Sequence, residues 1–190
     1  MKIQRVTFIG VRGLRDATHD FTNPETGAPH DLVVLTGPAA SGKTRALEAI
    51  VAAKEAIGAY GPMSPGDPWI DAGVAKIVIA FHLDEEEQTY AGSASAVVEA
   101  EAQFLPDRVR SDADEGIVAV LERYGHEPAR GKLEYFPATR RISALAPYHG
   151  LGAGEQRLLR AGKDARKYSF VMRFLLEIEH DAEQIGRAHV

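Results

Sequence analysis

Apolar and polar residues alternate from the start of the chain. Ile3, Val6, Phe8 and Val11 stand among Lys2, Gln4, Arg5 and Thr7, which predicts a strand with one wet face. Residues 22–30, TNPETGAPH, are dense in Pro, Gly, Asn and Thr and read as a loop. The run DLVVLTG that follows is short, apolar and β-branched, the composition of a buried parallel strand. From Thr44 the pattern changes to TRALEAIVAAKEAIGAY, with Leu47, Ile50, Val51 and Ile57 near one helical face. Residues 58–68, GAYGPMSPGDP, read as a second loop. VAKIVIAFHLDEEEQTYAG alternates on both sides of an acidic break and predicts an antiparallel hairpin; SAVVEAEAQFL predicts a further strand. Beyond it, residues 112–124 read as a helix, KLEYFPA as a strand stopped by Pro137, and 155–188 as one or two helices.

Composition narrows the picture. A chain of 190 residues suits one α/β domain and is short for two. With 45% hydrophobic and 26% charged residues, it has the makings of a core, which excludes wholesale disorder. A net charge of -5 argues against a generally basic nucleic-acid coat and leaves room for a local basic patch. The absence of cysteine excludes a disulfide scaffold, a Cys-ligated metal and a cysteine nucleophile, and it fits a reducing compartment. MKIQRVTFIG has no leader pattern, and no apolar stretch approaches the roughly 20 residues of a membrane helix. A soluble, cytoplasmic chain with no membrane partner is expected. The seven histidines show no metal-ligand spacing.

One motif carries chemistry: Gly37-Pro38-Ala39-Ala40-Ser41-Gly42-Lys43-Thr44 satisfies G-x-x-x-x-G-K-[ST] between a predicted strand and a predicted helix. Glycines let the backbone curl so that successive N–H groups face phosphate oxygens, and the helix adds its positive end. Lys43 is placed to reach the β- and γ-phosphates, and the Thr44 hydroxyl to ligate Mg²⁺. Arg45, next along, joins the nucleotide-binding set. The ligand implied is a nucleotide phosphate: ATP with Mg²⁺.

The flanks resemble a family. KIQRVTFIGVRGLRDATHDF, a loop, and then DLVVLTGPAASGKTRALEAI are similar to the N-terminal lobe of ABC-type ATPase heads of the RecF/SMC and OLD-like kind, catalogued as AAA-family ATPases. Val11-Arg12-Gly13-Leu14 stands at the family's first turn, Phe21 ends its second strand, and Leu47-Glu48-Ala49-Ile50 matches its helix. The likeness covers residues 1–90 well and the rest poorly. Ala39-Ala40 departs from the family's Asn-Gly, losing an Asn side chain while keeping the backbone donors. The resemblance implies a P-loop fold with parallel core strands, an adjoining antiparallel hairpin sheet and C-terminal helices. It implies Arg12 beside the nucleotide, two heads sandwiching two ATP molecules, and work in DNA maintenance or defence against foreign DNA. A solvated turn arginine is the other reading of Arg12.

Hydrolysis by such a head also needs an acidic Walker B end and a signature loop. Asp84-Glu85, Glu122, and Glu177 with Glu179 are the acids that follow apolar runs; each also fits a turn or an amphipathic helix. Residues 151–156, LGAGEQ, resemble the family's LSGGEQ, with Gly152 where the Ser belongs, or form a Gly-rich helix cap. No switch histidine is convincing at His180 or His189. Arg157, Arg160, Lys163, Arg166 and Lys167 form a basic stripe that meets DNA phosphates or is a solvated face, and Arg140-Arg141 is equally open. Trp69 stacks on adenine, lies at an interface, or fills a small satellite core.

The expectation is a single ATP-binding domain over 1–190, the N-terminal part of a larger or split ATPase head. A second lobe or an identical head completes it, so hydrolysis by this chain alone is slow or absent. Two other classes stay open: a self-contained P-loop kinase or NTPase switch using Asp84 for Mg²⁺, and a non-catalytic ATP-binding scaffold.

Overall fold

In a computed structural model of the chain, residues 1–58, 69–71 and 73–126 are described. They hold a five-stranded sheet and three helices, a mixed α/β architecture. The strands are β1 (Lys2–Ile9), β2 (Ala17–Asp20), β3 (Ala75–His82), β4 (Val97–Phe104) and β5 (Val109–Asp112), ordered β2-β1-β3-β4-β5. Every neighbouring pair is antiparallel. Strand β1 alternates because Val6 and Phe8 face a core while Arg5 and Thr7 face water. The outer face is laced with polar partners: Arg5 with Glu99, Lys76 with Glu101, and Thr7 with Thr18.

On the inner face, helix α1 (Lys43–Ile57) buries Ala49, Ile50, Ala53, Ala56 and Ile57 against Ile77, Ile79, Ala100 and Phe104. Alanines let the helix approach closely, and the aliphatic side chains fill the space between. Leu47, predicted on the buried face, is exposed instead. Helix α3 (Glu115–His126) closes the core with Ile117 and Leu121.

Two expectations are corrected. The acidic segment after β3 is not a hairpin turn: residues 85–91 form helix α2 (Glu85–Ala91) between β3 and β4. Asp84 caps it, accepting from Glu87 N at 2.8 Å, while the Glu87 carboxylate accepts from Asp84 N at 2.8 Å. That reciprocal box satisfies two amides that would otherwise lack partners, so a helix starts there.

The second correction concerns DLVVLTG. It is neither buried nor part of a sheet: Leu32 is 79% and Val34 68% exposed, and residues 32–36 make no hydrogen bond among the described residues. A parallel strand is buried by neighbours on both sides, and the described residues supply none. The sheet they do form is antiparallel throughout, not the expected parallel core around the loop. The LGAGEQ segment, Glu177, Glu179, His180, His189, the basic stripe and Arg140-Arg141 lie outside the described residues, as do KLEYFPA and the C-terminal helices. No helix among the described residues is long and apolar enough to cross a membrane.

Candidate nucleotide-phosphate site

Helix α1 begins at the end of the Gly-rich loop. Its N-cap, Gly42, has φ +87°. A Cβ there would stand 2.7 Å from Leu14 Cδ2 and 3.0 Å from Gly13 O, so the position takes only glycine without distortion. Gly42 offers no side-chain cap, and the first turn of α1 carries no acidic residue. Neither the N-cap nor the first turn therefore supplies an anion to the free amides and dipole at this end.

The loop is curled around its own lysine. Lys43 Nζ donates to Gly37 O at 2.8 Å, Pro38 O at 2.6 Å and Ser41 Oγ at 3.1 Å. The ammonium thus reaches back from the first residue of α1 across the curl, close to where phosphate oxygens sit in such a loop. Ser41 N closes the turn on Pro38 O at 3.4 Å. Ala40 has φ +61°, the one positive φ of a non-glycine residue among those described. It stands where the related pattern has glycine, and an alanine there is strained.

Two cavities meet at this loop. One, of about 630 Å³, is lined by Arg12, Gly13 and residues 40–45. It gathers three cations, Arg12, Lys43 and Arg45, with no carboxylate among its described lining. Thr44 is exposed, and its hydroxyl makes no hydrogen bond among the described residues. A single hydroxyl suits Mg²⁺ carried in on phosphates, since that ion keeps several waters and needs few protein ligands. The second cavity, of about 840 Å³, shares Gly13 and residues 40–43 with the first. Its walls include Val6, Phe8, Leu14, Phe21, Leu35 and Ile50, together with Gly37 and Pro38. Ala39 is the one motif residue that lines neither.

Arg12, Arg45 and residues 40–44 of the motif thus line one cavity. The remaining acids do not. Asp84 and Glu87 are committed to capping α2, Glu85 is exposed on that helix, and Glu122 is exposed on α3. A switch that relies on Asp84 for Mg²⁺ is weakened by that commitment. Asp71, which no sequence pattern singled out, is the one carboxylate among the described residues lining either cavity.

Trp69 belongs to the main core cluster with Phe104, not to a separate satellite core, and its carbonyl holds the turn that carries Arg12. It is buried, and its ring centroid lies 5.8 Å from that of Phe104. The Arg45 guanidinium lies 4.1 Å from the Trp69 ring centroid. Burial holds the Arg45 pKa below its ordinary value, with the nearby Arg12 charge adding to the effect and Glu48 opposing it. Compared with protein-family models and with curated proteins, the chain matches none of them.

Proposed function

We propose that the chain binds ATP with Mg²⁺ through residues 37–44 and is the N-terminal part of an ABC-type P-loop ATPase head. One observation carries the reading. A lysine seated in the curl of a Gly-rich loop, at the uncapped start of a 15-residue helix, is an anion cradle with its own counter-charge in place. Phosphate oxygens take over the donors that Lys43 now shares with loop carbonyls. Arg12 faces the same cavity, and Thr44 is free for the metal.

The parallel core belongs to this proposal as well. Residues 32–35 are apolar and exposed, and Leu35 lines an apolar-walled cavity. Protein interiors are close-packed, and exposed apolar surface of this kind marks an interface. A second lobe or an identical head supplies the neighbouring strands and, with them, the acid that orients the attacking water. The sequence resemblance adds DNA maintenance or defence against foreign DNA as the setting and DNA as a further partner.

Titration calorimetry of MgATP into the 190-residue chain tests the reading. Charge-assisted hydrogen bonds are worth about 1.5–3 kcal/mol, so Lys43→Ala is expected to weaken binding roughly 10- to 100-fold. Phosphate release by the isolated chain is expected to be very slow and to rise when the missing lobe is present. Unchanged affinity in Lys43→Ala, or turnover that survives it, would overturn the assignment.

A further inference from the structure

We infer that Trp69 and Arg45 are positioning residues that fix the Arg12 peptide beside the nucleotide cavity, so that of the two arginines it is Arg12 whose guanidinium meets the ligand. The inference rests on the nucleotide reading of residues 37–44 and assigns roles within that site.

The chain of contacts starts in the core. Phe104 on β4 holds the Trp69 ring, which is 6% exposed. Ile70 beside it forms a bridge with Val11, so this short segment is tied to the start of the first turn. Arg12 N donates to Trp69 O at 2.9 Å. On its other side, Arg12 O accepts from Arg45 Nε at 3.1 Å. Arg45 is itself held, because its guanidinium lies over the Trp69 ring at 4.1 Å. The Arg12 backbone is therefore bonded on both sides by partners that share one aromatic ring.

The two arginines end up with different freedoms. Arg45 has spent its planar face on the indole and its Nε on a carbonyl. The Arg12 guanidinium makes no hydrogen bond, ion pair or ring contact among the described residues. It also stands near the Arg45 charge, which favours an anion between it and the loop. The ring face of Trp69, and not its N–H, carries the contact: Trp69 Nε1 is buried without a hydrogen-bond partner among the described residues. A phenylalanine at this position keeps a ring under Arg45 and loses no hydrogen bond.

The test is a double-substitution cycle on the 190-residue chain, read by calorimetric affinity for MgADP with melting temperature alongside. Arg12→Ala is expected to weaken binding about tenfold, and Trp69→Leu or Arg45→Met about three- to tenfold. Trp69→Leu combined with Arg12→Ala is expected to be no weaker than Arg12→Ala alone, because Trp69 acts through Arg12. Trp69→Phe is expected to restore near-native affinity. Losses that multiply in the double variant would overturn the inference, as would native affinity in Arg45→Met. Should Trp69→Leu fail to fold, Arg45→Met with Arg12→Ala completes the same cycle. If Lys43→Ala binds MgADP as tightly as the native chain, the nucleotide reading itself fails. If Lys43→Ala loses binding while Trp69 and Arg45 variants keep it, only the positioning role fails.

Discussion

Glu55 gives the fold an unusual pH dependence. It lies in the last turn of α1, half-buried, and makes no hydrogen bond or ion pair among the described residues. Burial raises its pKa from an ordinary 4.5 to about 7, against a smaller opposing effect of the Lys54 charge. The negative pole of the helix disfavours its charge in the same sense. The folded state thus holds a proton that the unfolded chain has released between these two values. Stability contributed by the protonated form is complete below pH 4.5, declines as pH rises, and is lost above about pH 7. Carried fully into free energy, the change amounts to about 3 kcal/mol; partial contact with water reduces the expectation to roughly 2 kcal/mol. Glu55→Gln keeps the shape and removes the titration. Urea unfolding of both chains at pH 5 and pH 8 measures the difference directly. The variant is expected to gain about 1.5 kcal/mol over the parent as pH rises across that interval. A gap that stays constant with pH, or one that widens toward acid, would refute the reasoning, since no other group differs between the two chains.

Three further substitutions have expected outcomes. Ala40→Gly relieves a left-handed alanine and is expected to raise stability by about 0.5–1 kcal/mol in a thermal melt; a lower melting temperature would mean that Ala40 is not strained. Gly116→Ala would place a Cβ 2.2 Å from Ala91 O, backbone that cannot step aside, so α3 must shift from the end of α2. A loss of about 2 kcal/mol or more is expected by denaturant titration. Glu87 is buried and takes both the Met1 ammonium and the Asp84 amide. Glu87→Ala leaves that charge without its partner, and a loss of about 3 kcal/mol by the same measurement is expected; a loss under about 1 kcal/mol would show the pair to be solvated.

Much of the candidate site's local structure was legible in the sequence because its parts are local. The residues 37–44 motif, the helix it opens and the alternation of β1 all depend on neighbours a few positions apart. What escaped depends on distant neighbours. DLVVLTG has the composition of a buried strand, yet composition cannot state who buries it, and residues 32–36 are exposed among the described residues. Glu55 looks like an ordinary solvated helix position until the burial around it is known. Trp69 takes its contacts from Phe104, Arg45 and Arg12, none of them adjacent in sequence. Helix α2 is the instructive miss, because its signal was local. Asp84 and Glu87 stand three apart, the spacing of a capping box, but the alternation on either side favoured a hairpin.

Local rules fail together at one place, and that coincidence bears on function. Around residues 37–45, an alanine sits in a conformation suited to glycine, and a helix starts without a side-chain cap. Arg12, Lys43 and Arg45 line one cavity that has no carboxylate among its described lining. Each feature lowers the stability of the ligand-free chain by a modest amount, and a solvated turn would be expected to lose such features rather than collect them. An anion changes the sign of two of them at once, completing the helix start and separating the like charges. A ligand of that kind is expected to raise the melting temperature of the chain, and the rise should fall with added salt as the phosphate–cation contacts are screened. A neutral ligand of the same size would leave both defects in place.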